Sequence, residues 1–136
     1  ETMPWAIPDS ADSYANLVRA IDRPAFAVHL DPVNLVNCPK HYYRTEDLLD
    51  ECFDKLGQWI VSCHAKDVYM GEELTMYIKE VRVGTGVFNY ERFLTRLSKM
   101  DRDIPLMMEH MSGKEEYDLA RVHIQKVADG LGLEFN

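Results

Sequence analysis

Four residues of metal-ligand type stand at matching places in this 136-residue sequence. Asp31, His64 and Glu109 each follow directly on a short apolar run, at 25–30, 59–63 and 105–108, and Glu1 stands where a further run would have ended. Apolar runs of that length, bounded by polar or turn residues, read as strands of a parallel sheet buried on both faces. Parallel strands in a closed sheet bring their C-terminal tips to one rim, so side chains at such tips converge. Three carboxylates and a neutral imidazole form a hard to borderline donor set suited to Mn²⁺, Mg²⁺ or Co²⁺, with Zn²⁺ as a further option. With coordination positions left open, such a cation can hold two adjacent substrate oxygens while charge develops on them. A polar residue after a strand is usually a loop residue or a helix cap. Spacing by itself does not separate four ligands from four such residues.

Other groups belong to the same picture. Lys66 lies two residues beyond His64, so strand alternation aims it to the same side. There it would bind a substrate oxygen or phosphate, or act as an acid/base if its pKa were lowered. Asn34 offers a hydrogen bond to a substrate hydroxyl, and Arg82 a charge for an anionic substrate group. Asp67 reads as orienting its neighbours or capping the following loop. Gly84 and Gly86 shape that loop rather than cradle a dinucleotide, because no strand immediately precedes them. His29 reads as a core or supporting histidine, His110 as facing away from Glu109, and His41 and His123 as surface residues. Met107 and Met108 are expected in the core.

The elements that must position these groups alternate in period. A helix is expected over 10–21, capped by Asp9 or Ser10, with Tyr14, Leu17, Val18 and Ile21 on one face. A second is expected over about 46–56, capped by Thr45 and ended by a left-handed Gly57, with Cys52 in its apolar stripe. A connection of roughly 25 residues follows His64, long enough to suggest a functional loop. A third helix begins near Asn89 with Tyr90, Phe93, Leu94 and Leu97 inward. The last opens at a capping box, Ser112 to Glu115, carries Ala120, Ile124, Val127 and Leu131 inward, and stops at Gly130 and Gly132. Strand and helix in alternation imply an α/β fold with parallel strands and helical crossovers.

Composition narrows the partners. A net charge of −8 argues against nonspecific nucleic-acid binding, which needs clustered Lys and Arg. No run approaches the ~18 apolar residues of a membrane span. The three cysteines form no C-x-x-C pair, and with no export signal they read as reduced thiols in a cytoplasm.

Five segments carry a family resemblance: 1–5 (ETMPW), 28–34 (VHLDPVN), 62–67 (SCHAKD), 84–90 (GTGVFNY) and 105–110 (PLMMEH). In this order they resemble the successive motifs of the sugar phosphate isomerase/epimerase family in the xylose-isomerase-like TIM-barrel superfamily. The resemblance covers essentially the whole chain. It implies the C-terminal portion of a (β/α)8 barrel, from the tip of the fifth strand to the eighth helix, with about three parallel strands and four helices over 1–136. It implies Glu1, Asp31, His64 and Glu109 as metal ligands; beside them, the residues themselves offer Glu1, Glu109 and Lys66 as catalytic groups and Asn34, Lys66 and Arg82 as substrate contacts. The expected reaction is proton transfer between adjacent carbons of a sugar, sugar phosphate, polyol or keto acid through an enediolate held on the metal.

The departures matter. Epimerases of the tagatose 3-epimerase type carry a second glutamate where this chain has Ile7, and a histidine where it has Asn34. A dehydratase or lyase of the same superfamily is therefore an alternative, as is a half-barrel that only assembles. The phosphodiesterase branch needs that histidine and a further Asp-x-His pair absent from the 65–88 connection. A full barrel takes about 250 residues. Three strands leave two unpaired edges and an uncovered inner face, so self-association or a missing N-terminal half is expected.

Overall fold

A computed structural model describes residues 1–135 of the chain. Its elements run α1 (Ala11–Ile21), β1 (Val28–Leu30), α2 (Pro39–Tyr43), α3 (Thr45–Leu56), β2 (Ile60–Ala65), β3 (Asp67–Met70), β4 (Ile78–Val81), α4 (Tyr90–Leu97), β5 (Leu106–Met108) and α5 (Lys114–Leu131). Strands β1, β2 and β5 form one parallel sheet in that order, each joined to the next through helices. This is a partial TIM barrel, as the alternation of periods implied. Among the described residues, β1 and β5 each keep one edge without a strand partner.

One face of the sheet is the core. Val28, Leu30, Ile60, Cys63 and Ala65 are fully buried, packed with Val18, Leu49, Leu56 and Phe93 from the helices. The register between β1 and β2 skips one residue, with Val28 opposite Ile60 but His29 opposite Ser62. That extra residue is Val61, 48% exposed, and Met107 is 43% exposed. Met108 packs against the core as expected, but Met107 does not, because it stands on the barrel-facing side of the sheet.

The helix ends separate expectation from outcome. Ser10 caps α1 with a reciprocal box to Ser13, so two amides left free by the first turn are satisfied. The buried face of α1 is Ala11, Tyr14, Ala15 and Val18; Leu17 and Ile21 are more than a third exposed. Thr45 is the first residue of α3 rather than its cap, and its hydroxyl accepts from Asn89 N at 3.1 Å. Gly57 is right-handed (φ −46) and leads into a 3-10 turn, Gly57–Trp59, instead of stopping the chain. Gly113, not Ser112, precedes α5, and no side chain caps it. Gly132, at φ 67, ends α5 in the left-handed form expected of a glycine there.

Two segments were misjudged from periodicity. Residues 25–27 are not strand: Phe26 N donates to Arg23 O at 2.9 Å, closing a turn about Pro24. The long connection contains an antiparallel hairpin, β3 against β4, in which Asp67 pairs with Val81 and Met70 with Ile78. Helix α3 is tied to α4 by Arg92, whose guanidinium reaches Asp50 at 2.8 and 2.5 Å. The hydrogen bond from Arg92 holds the Asp50 carboxyl below its usual pKa despite partial desolvation. Cys52 is buried as expected, Cys63 also, and burial pushes the Cys63 thiol up to about 12. No described helix is long and apolar enough to cross a membrane.

Candidate metal centre

The parallel sheet delivers its tips to one rim. Asp31 follows β1, His64 is the penultimate residue of β2, and Glu109 follows β5. Glu1 completes the group from the first residue. His64 Nδ1 lies 3.3 Å from Glu1 Oε1, 3.5 Å from Asp31 Oδ2 and 3.2 Å from Glu109 Oε2. One ligand atom from each of the four lies within 4.8 Å of the others. The side chains grade from floor to opening, with Asp31 at 0% exposure, His64 at 13%, Glu1 at 28% and Glu109 at 31%. Approach from solvent is therefore over the two glutamates.

The donor set fits a divalent cation by more than residue type. Asp31 Oδ2 and Glu109 Oε2 are buried and accept no hydrogen bond from a backbone amide or a neutral side chain. A buried carboxylate oxygen without one is costly unless a positive charge faces it. The charge that faces both is the Lys66 ammonium, 2.8 Å from each. Burial raises the Asp31 pKa, with Lys66 opposing it; at Glu109 burial also pushes upward, but Lys66, His64 and His110 together outweigh it and hold the carboxyl low.

Lys66 is 2% exposed and also contacts Glu80 Oε1 at 3.1 Å and Asn34 Oδ1 at 3.5 Å. Burial alone would lower its pKa, but the bonds to Asp31, Glu109 and Glu80 raise it. The expectation of an acid/base lysine with a lowered pKa is thus corrected. Surrounded by three carboxylates, it stays a charged ammonium.

Asn34 is buried, and its Nδ2 donates to Glu1 Oε1 and Thr2 O, each at 3.0 Å. Both amide hydrogens are engaged, so Asn34 orients Glu1 and has no donor left for a substrate hydroxyl. Arg82 also turns elsewhere. Its Nη1 donates to Val83 O at 3.1 Å, and its Nε lies 3.5 Å from Glu116 Oε1 on α5.

Asp67 acts as the sequence suggested. Its Oδ1 accepts from Val68 N and Phe88 N at 2.8 and 2.9 Å; Oδ2 accepts from Gly84 N and Gly86 N at 2.9 and 3.0 Å. One buried carboxylate thus holds the loop from 84 to 88. A Cβ on Gly86 would collide with Asp67 Oδ1 and Val68 O, and Gly84 sits at φ 87, so both glycines are needed there.

His29 takes the supporting place expected of it, whereas His110, Glu80 and His123 do more than the sequence implies. His29 stands edge-on to His64, ring centroids 4.1 Å apart, with Nδ1 2.5 Å from Ser62 Oγ and Nε2 unpartnered. His110 does not simply face away: at φ 58 its Nδ1 reaches Glu80 Oε2 at 2.6 Å. Glu80, on β4, was not singled out, although it touches both Lys66 and His110. Its strand, Ile78-Lys79-Glu80-Val81, does not alternate polar and apolar residues, so the sequence carried no signal for it. His123, expected at the surface, packs edge-on against Tyr90 at 5.6 Å. A cleft of about 280 Å³ borders Asn34 and Glu80, walled by Pro4, Val33, Val68 and Ile78.

No protein-family model matches the sequence, and no curated protein does either. Among solved structures, the chain is similar to a xylose isomerase domain protein from Planctomyces limnophilus. The two share 25% identity and a TM-score of 0.65 over 90% of this chain. The match spans 43% of that longer chain, so the present chain corresponds to less than half of its length.

Proposed function

We propose that this chain, a partial barrel of the xylose-isomerase-like superfamily, binds one divalent cation through Glu1, Asp31, His64 and Glu109, and that the protein it represents moves a proton between neighbouring carbons of a sugar, sugar phosphate, polyol or keto acid. The observation that carries the reading is the convergence of four ligand atoms within 4.8 Å, two of them buried carboxylate oxygens faced by a cationic group, the Lys66 ammonium, rather than by a neutral donor. When bound, the cation supplies Lewis acidity toward two adjacent substrate oxygens. Mn²⁺, Mg²⁺ and Co²⁺ suit three carboxylates and an imidazole best, and Zn²⁺ is tolerated.

The residues of the chain divide the remaining work. Asp31, at the floor, fixes position. Glu109, its carboxyl held low by Lys66 and His64 against desolvation, is ionised at neutral pH and able to accept a proton from a substrate carbon. Glu1, steadied by Asn34 on the other open side, is the second candidate. Lys66, permanently charged, binds a substrate oxygen or phosphate rather than shuttling a proton. Ile7 is 87% exposed where tagatose 3-epimerase-type enzymes carry a glutamate, which keeps a dehydratase within the proposal.

Calorimetric titration with Mn²⁺ tests the site. One equivalent should bind, and Glu109→Gln and His64→Ala should each weaken binding by at least about 100-fold, since even supporting residues behind a ligand cost 10–100-fold. Equal heats in the three proteins, with unchanged circular dichroism, would refute the site.

The open face favours a second element of the proposal. With β1 and β5 unpaired on their outer edges among the described residues, and Val61 and Met107 exposed, the sheet closes against the remaining half of a barrel or a second copy. Light scattering should show association of the isolated chain. A strictly monomeric species that unfolds sharply on heating would count against it.

A further inference from the structure

Resting on the metal-site reading, we propose that Lys66 is a built-in competitor of the cation and that Glu80, on the β3–β4 hairpin, is the positioning residue that accepts the Lys66 ammonium when a cation takes Asp31 and Glu109. The two claims on the site fall on the same atoms. Lys66 Nζ is 2.8 Å from Asp31 Oδ2 and 2.8 Å from Glu109 Oε2, the two oxygens that also face His64 Nδ1. An ammonium and a divalent cation cannot both sit close to that pair without strong repulsion at such short range.

Lys66 cannot retreat into solvent, because its side chain is only 2% exposed. Two acceptors lie within its reach on the other side, Glu80 Oε1 at 3.1 Å and Asn34 Oδ1 at 3.5 Å. Only Glu80 carries charge. Its second oxygen is already held by His110 Nδ1 at 2.6 Å, which fixes the carboxylate toward the lysine. His110 reaches it from the left-handed region at φ 58, a conformation that a histidine adopts at a cost and that its contacts must sustain. The hairpin thereby contributes a group to a rim otherwise built by the parallel sheet. A shift of Lys66 toward Glu80 leaves the metal oxygens free while keeping the ammonium paired.

A double-mutant cycle read by Mn²⁺ titration tests this, using Lys66→Met, Glu80→Gln and both together. Lys66→Met should tighten Mn²⁺ binding by about tenfold, and Glu80→Gln should loosen it by about tenfold, within the usual range of coupling between sites. In the Lys66→Met background, Glu80→Gln should change affinity less than about twofold, because the lysine through which it acts is gone. An equal loosening in both backgrounds would assign Glu80 a direct field effect and overturn the proposal, as would Lys66→Met without tightening. Should Lys66→Met fail to fold, Lys66→Gln serves the same cycle. Wild-type binding that neither lysine variant alters sinks this inference alone. Silence in the wild type and in every variant sinks the metal reading with it.

Discussion

Asp67→Ala is expected to cost at least about 4 kcal/mol of stability, because four backbone amides lose one shared charged acceptor and each such bond contributes about 1.5–3 kcal/mol. The carboxylate is 1% exposed and binds Val68, Gly84, Gly86 and Phe88. Against the roughly 5–15 kcal/mol that holds a domain together, the variant should be close to unfolded. Asp67→Asn should recover little, since its NH2 group would face the amides of Gly84 and Gly86 or those of Val68 and Phe88, donor against donor. Urea denaturation followed by circular dichroism measures both. A loss under 1 kcal/mol would mean that the loop holds its shape without the carboxylate. Lys66 precedes Asp67 directly, so a loosened loop would also release the ammonium from the metal rim.

Phe93→Ala should destabilise by about 3–5 kcal/mol, the usual cost of truncating a buried aromatic to alanine. Its ring is fully buried, 5.5 Å from Phe88, 6.1 Å from Phe53 and 6.2 Å from Tyr90. These rings join α4 to α3 and to the end of the loop that Asp67 holds. The midpoint of thermal unfolding should fall by on the order of 10 °C or more. The consequence reaches the site through one contact, since Tyr90, which packs on Phe93, donates its hydroxyl to Lys66 O at 2.8 Å. A variant that unfolds within about 2 °C of wild type would show that the cluster can collapse around the void.

The α/β order, the ligand types at the strand tips and the loop role of Asp67 were legible because they rest on local pattern. Burial on both faces makes a parallel strand a continuous apolar run, and the residue after the run must lie at the rim. Asp31, His64 and Glu109 could therefore be placed before any coordinates, and the structure brings them together with Glu1. Cys52 and the Gly132 terminus followed in the same way from helical period and from glycine's access to positive φ.

Less local features were decided only by the folded chain. Strands of four residues with charged centres, Lys79 and Glu80, carry too little periodic signal to stand out. The hairpin exists because β3 and β4 meet in register. His110 turns toward Glu80 through a backbone angle that no neighbour in the sequence announces. Asn34 was read as a substrate contact, but the proximity of Glu1 and Thr2, more than thirty residues away, claims its amide. Residue type and period thus determined which side chains reach the rim. Long-range pairing determined which of them are already held by one another, because hydrogen bonds and ion pairs depend on distances between segments that the linear order leaves open.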